Sequence, residues 1–484
     1  MGWIQEDGSR TTERLGENFV LCSPYGNIIV TCYIPTIEQV FGRDHKNWPM
    51  PRTQSQLFAF YGQNVSSTNG ADWQRHRKIT ASAFNEKSMH EVWKESITRT
   101  KEIRLRSESA RSLARIRSTF DVVAMHVLAK VGFGQGWDLE SIPPGHQLSL
   151  MKSLGFILQN IMLTLLFNSL KAPDAILPGK LRQLKASVAE FRLYMEESVF
   201  HHMRSAKASL NQRSSLLGEM VKANESEKQQ LQKQVGRPSY LTDSELYGNI
   251  FVFSLAGYET TASTMTFALS YLAQHPEIQD WVIEEVDKYY NPQSASANYA
   301  VVYNNLTRTL SVMYETLRLA SPAAMLVRTA TIPTDLSIIS PGGPKTIQID
   351  AGTTVGAQFY GAHLSPRWGP NTKSFNPKRF VSLSAAGEES ISVPEGVLYT
   401  PWMFGPRVCP GKKFSQVEFV AAVAQVLSEY HIEVLTLDGE SPESAKARLA
   451  HVLDEKYFNI STHLRRPEDA GVRFVHRTKN LGFL

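Results

Sequence analysis

The sequence predicts a mainly α-helical protein with a small β portion. Three observations carry that expectation. Residues 85–240 place apolar side chains at helical spacing over most of their length. A second helical pattern runs unbroken from Thr242 to Gln274, where His275-Pro276 ends it. Strand signals are short and lie towards the two ends of the chain, in ENFVLCSPYGNIIVTCY (17–33) and in FNISTHLRR and VRFVHR near the C-terminus.

Taken in order, two apolar runs flank Ser-Pro-Tyr-Gly-Asn and predict a hairpin, and TIEQVFG then predicts a short helix ended by Gly42. Residues 43–70 are rich in Pro, Asn, Gln and Ser and read as irregular. ADWQRHRKITASAF (71–84) reads as a helix that brings Trp73 and Arg77 to one face. LGFILQNIMLTLLFNSL (154–170) carries Gln159, Asn160 and Asn168, so it suits a buried or membrane-touching helix better than a span. VKANESEKQQLQKQVGRPSY (221–240) reads as an exposed connection. Thr242 and Glu245 form a capping box at the start of the long helix. At 1.5 Å per residue that helix is roughly 48 Å long, enough to cross a domain. LSVMYETLRLASP (310–322) is a helix stopped by Pro322, and KKFSQVEFVAAVAQVLSEY is a further helix just after Cys409.

The chain has 484 residues, 42% of them hydrophobic and 20% charged, a globular composition that gives no sign of disorder. A net charge of +5 gives no reason to invoke nucleic acid. Three cysteines, Cys22, Cys32 and Cys409, are too few and odd in number for a secreted disulfide framework. Cys22 and Cys32 could face each other across the first hairpin, and a reduced pair is the expectation. The sequons at Asn64 and Asn305 are expected to be chance matches. The first residues, MGWIQEDGSRTTERLGEN, are polar, with no apolar run of about 18 residues, so a membrane anchor is either absent or missing from this sequence.

The chemistry centres on Cys409. Gly405-Pro406 before it and Pro410-Gly411 after it hold the backbone in a tight loop ahead of a helix. A cysteine at a helix N-terminus has its thiolate favoured, which suits a metal ligand or a nucleophile. A lone cysteine is more often a buried, inert residue. Neither His nor Asp stands beside this one as a base, whereas Arg407, two residues before, offers a fixed cation. One thiolate plus one arginine suits an iron porphyrin with anionic propionates. On the long helix, LAGYETTAST (255–264) places the small residues Ala256 and Gly257 before an acid–alcohol pair, Glu259 and Thr260. A glycine inside a helix costs about 1 kcal/mol relative to alanine, which close approach of a ligand would explain. A hydroxyl that both donates and accepts, backed by a carboxylate, can manage protons. A packing contact and a threonine bonded to its own helix are the plainer alternative. Glu315 and Arg318 have the spacing to pair, and Arg379 in FNPKRF (375–380) is a further partner.

These stretches resemble the cytochrome P450 family. W-M-F-G-P-R-V-C-P-G is similar to its haem loop, F-x-x-G-x-R-x-C-x-G, with Gly405, Arg407, Cys409 and Gly411 matching and Trp402 in place of Phe. Trp73 and Arg77 match its W-x-x-x-R helix, residues 256–261 its A-G-x-[DE]-T-[TS] motif, Glu315 and Arg318 its E-x-x-R pair, and Arg379 its P-x-R-F element. The resemblance implies one domain over residues 1–484 with the P450 fold, the haem lying between a long central helix and the cysteine loop. It implies haem b (iron protoporphyrin IX) with Cys409 as the iron ligand, and propionates held by Trp73, Arg77, Arg328 and Arg407. Ala256 and Gly257 would leave room for dioxygen, and Thr260 with Glu259 would handle protons. The indole N–H of Trp402 offers a hydrogen bond to the thiolate, and His363 falls where a basic residue flanks the haem. Residues 43–70 and 323–327 would face substrate. The implied reaction is oxidation of an apolar small molecule, with electrons from a separate NADPH-cytochrome P450 reductase docked on Lys412, Lys413, Arg75 and Lys78. The chain looks most like fungal members, which implies secondary metabolism. A cytoplasm-facing location with endoplasmic reticulum association and peripheral membrane contact belongs to the same expectation. A haem-thiolate isomerase or lyase working without reductase, and a non-catalytic haem binder, are the alternative functions.

Overall fold

The computed structural model describes residues 3–24, 26–52, 55, 59–104, 111–134, 140–161, 163–164, 177–207, 215–231, 239–294, 298–323, 325–459 and 461–477. The elements that position the functional residues are, in order, β1 (Asn18–Ser23), β2 (Gly26–Thr31), α1 (Gly70–Ala81), α2 (Leu113–Val127), α3 (Gly179–Lys207), α4 (Leu216–Leu231), α5 (Asp243–Gln274), α6 (Thr307–Leu319), β3 (Met325–Thr329), β4 (Thr354–Gln358), α7 (Lys412–Leu427), β5 (Lys456–Asn459) and β6 (Ser461–Leu464). Helices dominate, as the periodicity predicts.

The chain divides into two compact units. One comprises residues 1–49, 96–124 and 259–484, and the other residues 50–95 and 125–258. The first unit carries a four-stranded sheet in the order β1-β2-β4-β3, antiparallel except for the β2–β4 pair. Arg328 stands opposite Val355 in its register. Cys22 pairs in register with Asn27, and Cys22, Cys32 and Cys409 are all free thiols. A buried apolar cluster that includes Val40, Phe41, Trp48, Val355 and Phe359 packs beneath this sheet, and Phe404 of the cysteine loop packs against it. The second unit is built from α1, α3 and α4 with the first half of α5.

The capping box of α5 forms as expected. Thr242 Oγ1 accepts from the Glu245 N–H at 3.3 Å, and a Glu245 carboxylate oxygen accepts from the Thr242 N–H at 2.8 Å. Two local expectations fail. Residues 38–43 continue the helix beyond Ile37 as a π-helical turn, so Gly42 does not end it. Residues 221–231 belong to α4 rather than to a connection; Asn224 is buried and bonds Leu241 in both directions, which gives the helix a fixed face. Residues 232–238 lie outside the described residues. The apolar stretch at 154–170 is helical through Gln159, and its residues 165–170 are likewise outside. Asn64 is fully buried, which removes it as a glycan acceptor, as expected of a chance sequon. Among the described residues no helix is long and apolar enough to cross a membrane.

Candidate functional site: a cysteine loop and two arginines

The loop around Cys409 is shaped by backbone constraints rather than by side-chain bonds. Gly405 has φ 71°, and a Cβ there would lie 2.1 Å from the carbonyl oxygen of Phe41, so no other residue fits without displacing backbone. Gly42 is the reciprocal contact, since the Phe404 ring would meet a Cβ there at 3.0 Å. Close approach, not helix termination, therefore explains Gly42. Met403 also sits in the left-handed region, at φ 70°, a conformation that costs a non-glycine residue roughly 1 kcal/mol or more. The Cys409 N–H donates to the Trp402 carbonyl at 2.9 Å, which closes the loop and leaves the half-buried cysteine three residues ahead of α7.

Trp402 does not turn its indole towards the sulfur. Its N–H donates to the Ser415 hydroxyl at 3.0 Å, one turn into α7, so the expected hydrogen bond to the thiolate is not made. The basic residues near the loop are also engaged. The Lys412 ammonium lies 5.3 Å from the Trp402 ring centre and that of Lys413 lies 4.0 Å from Tyr303. In the second unit, Arg75 donates to both Glu245 carboxylate oxygens and to the Tyr240 carbonyl, and Lys78 pairs with Glu227. Arg75 is therefore an internal tie, whereas Lys78 pairs with Glu227 but keeps most of its side chain exposed.

Arg328 and Arg407 are different. Arg328 lies buried on β3, with its guanidinium 5.0 Å from the Phe41 ring centre and one N–H given to the Val327 carbonyl. Among the described residues no carboxylate pairs with it. Burial lowers its pKa to about 10. Arg407 is lowered to about 10 as well, by burial first and then by the positive charge of Arg328. Buried Arg328, with half-buried Arg407 near it beside the cysteine loop, is a charge arrangement into which an anionic ligand edge, such as the propionates of a porphyrin, would fit, and Cys409 would offer such a group a soft donor.

Glu315 and Arg318 are fully buried and pair twice at 2.8 Å. Arg379 reaches Glu315 at 3.1 Å, the Asn376 N–H adds a bond at 2.9 Å, and Arg318 caps the carbonyls of His363 and Thr372. His363 is not a basic flank. It is fully buried, burial and then Arg318 lower its pKa to about 3, and its Nε2 accepts from the Thr400 N–H at 3.0 Å. It is a neutral brace ahead of the cysteine loop.

On α5, Ala256 is exposed in the middle of a largely buried helix, and Thr260 is half-buried. Gly257 has a packing reason of its own: Leu128 would meet a Cβ there at 3.3 Å. Glu259 is buried and tied. Its Oε1 accepts from His463 Nε2 at 2.8 Å, from the Ser461 hydroxyl at 2.9 Å and from Arg117 at 2.9 Å. Burial, the largest influence, disfavours its charge, yet these donors hold its pKa down at about 2. Arg117, Ser461 and His463 lie outside the motifs, and no spacing in the sequence points to them. Trp73 and Arg77 sit four residues apart on α1, both half-buried.

The cytochrome P450 family model matches residues 9–460, and the chain belongs to that family, whose enzymes are haem-thiolate oxidoreductases. Several of the relatives it matches are named as monooxygenases. It is 28% identical over 416 residues to cytochrome P450 monooxygenase 124 of Postia placenta, covering 84% of this chain and 76% of that one. It is 26% identical over 509 residues to the phomenoic acid biosynthesis cluster cytochrome P450 monooxygenase of Leptosphaeria maculans, covering 94% and 82%. A crystal structure of a cytochrome P450, CYP102L1, superposes with a TM-score of 0.70 at 18% identity, covering 98% of this chain and 94% of that one, and supports the fold.

Proposed function

We propose that this chain, acting as one P450 domain, uses haem b bound by Cys409 to oxidise an apolar small molecule of secondary metabolism. Electrons would come from an NADPH-cytochrome P450 reductase. The observation that carries the reading is buried Arg328, with half-buried Arg407, on the same unit as the constrained Cys409 loop. Bound haem would supply dioxygen activation, with one oxygen atom passing to substrate and the other leaving as water. Arg328 and Arg407, with Trp73 and Arg77, would hold the propionates. Gly405 and Gly411 would let the loop backbone approach the ring, and Ala256 with Gly257 would leave room on the dioxygen side. Thr260 would donate a proton there, with Glu259 as the carboxylate that relays it. Lys412 and Lys413 are the basic residues of the proximal loop that would meet an acidic reductase surface, each with its ammonium already over a ring. A cytoplasm-facing position with peripheral contact to the endoplasmic reticulum membrane completes the reading.

The test is the carbon monoxide difference spectrum of the reduced protein. A red-shifted Soret band that disappears in Cys409→Ala supports the reading. A band that survives that substitution rejects Cys409 as the ligand.

A further inference from the structure

The groups that meet Glu259 come from α2 and from the β5–β6 hairpin. Arg117 divides its charge between Asp121, at 2.9 Å, and Glu259, so one cation serves two carboxylates. Burial pushes Asp121 upward, as expected of a carboxylate that shares its cation. His463 Nε2 is a second nitrogen on the same Glu259 oxygen, at 2.8 Å. His463 is stacked on Tyr457 at 5.4 Å between ring centres, and 22% of its side chain is exposed against 9% for Glu259. Of the three donors to Glu259 it is the most exposed, against 16% for the Arg117 side chain and a fully buried Ser461.

The chemistry of the three donors separates their roles. A guanidinium does not release its proton, and a serine hydroxyl can only pass one on. An imidazole takes up and gives up protons near neutral pH. Glu259, with three donors on one oxygen, is held ionised and is a transient carrier, not a resting place, for a proton.

We propose that His463 is the proton port of Glu259, a residue acting through Glu259 rather than on substrate. The inference rests on the proposed monooxygenase reading, in which substrate, dioxygen, two protons and two electrons from the reductase yield hydroxylated product and water. In the step itself, the Nε2–H bond of the imidazolium breaks as an Oε1–H bond forms on Glu259. Glu259 returns to its ionised form on giving that proton up to dioxygen reduction, and neutral His463 regains a proton from water.

The test has two readouts. The first is imidazole N–H NMR of the 15N-histidine-labelled protein. A protected, low-field N–H that moves upfield in Glu259→Gln is expected. Its absence from the wild-type protein overturns the proposal even if the variants fold poorly. The second uses haem-loaded His463→Gln, whose amide still donates to Glu259 but carries no titratable proton, with a fungal NADPH-cytochrome P450 reductase. Hydrogen peroxide released per NADPH consumed is expected to rise several-fold, and the slowing of NADPH consumption in D2O to increase, with the carbon monoxide band unchanged. Peroxide yield and isotope effect equal to wild type overturn the proposal alone. A wild-type protein that consumes no NADPH under these conditions overturns the monooxygenase reading, and this inference with it.

Discussion

Two groups of buried charge lie in the same unit and teach opposite lessons. Glu315, Arg318 and Arg379 are saturated: every charge has a partner, and surrounding carbonyls and N–H groups take up the rest. Arg328 is buried as well, burial lowers it, and it has no carboxylate among the described residues; half-buried Arg407 is lowered by burial and then by the charge of Arg328. A completed network holds the fold. A cation buried without a carboxylate is the place for a ligand that brings the negative charge.

The largest test breaks the completed network. Arg318→Ala removes the buried cation that pairs twice with Glu315 and caps two carbonyls, leaving Glu315 only Arg379 and the Asn376 N–H, and is expected to cost about 3–5 kcal/mol, read by chemical denaturation, with loss of haem uptake as a consequence. Arg328→Met separates the two groups. It should weaken haem retention by roughly 1–3 kcal/mol in a transfer assay to apomyoglobin, while the haem-free protein melts no lower than wild type. If the haem-free variant is destabilised as strongly as Arg318→Ala, the contrast between the groups is wrong.

Glu418 on α7 gives a third, intermediate case: a buried carboxyl without any cation, one oxygen unpartnered, pushed upward by burial. A raised carboxyl pKa means that the folded state holds a proton that the unfolded chain releases. Wild-type stability should therefore fall, relative to Glu418→Gln, as pH rises from about 4 upward, with a gain for the variant of about 1–2 kcal/mol at neutral pH. Parallel stability curves for the two proteins would show that the carboxyl is paired. The smallest effect is expected from Trp402→Phe. It loses the bond to Ser415, worth about 1 kcal/mol, and leaves the haem reduction potential unchanged, because the indole N–H does not point at the sulfur.

What could be read from the sequence was whatever a local spacing encodes. The capping box, the Glu315–Arg318 pair and the cysteine loop each lie within a few residues of chain. The helical fold class followed from apolar periodicity. Long-range partners left no such trace. Glu259 looks free in its motif, yet Arg117, Ser461 and His463 reach it from distant segments. His363 and Arg75 look basic and available for the same reason, since only the fold reveals that each is buried or paired. Gly42 was misread because a glycine that ends a helix and one that admits a neighbouring ring look alike in one dimension.

The seat of Gly405 against the Phe41 carbonyl has a consequence for biosynthesis. The two residues come from opposite ends of the chain, so the cysteine loop cannot take its shape while the ribosome is still making the middle of the protein. Until then the segment around Phe41 must wait with its apolar face uncovered, the state in which nascent chains aggregate or recruit chaperones. Formation of the cysteine loop should therefore wait for the segment around Gly405 to be made.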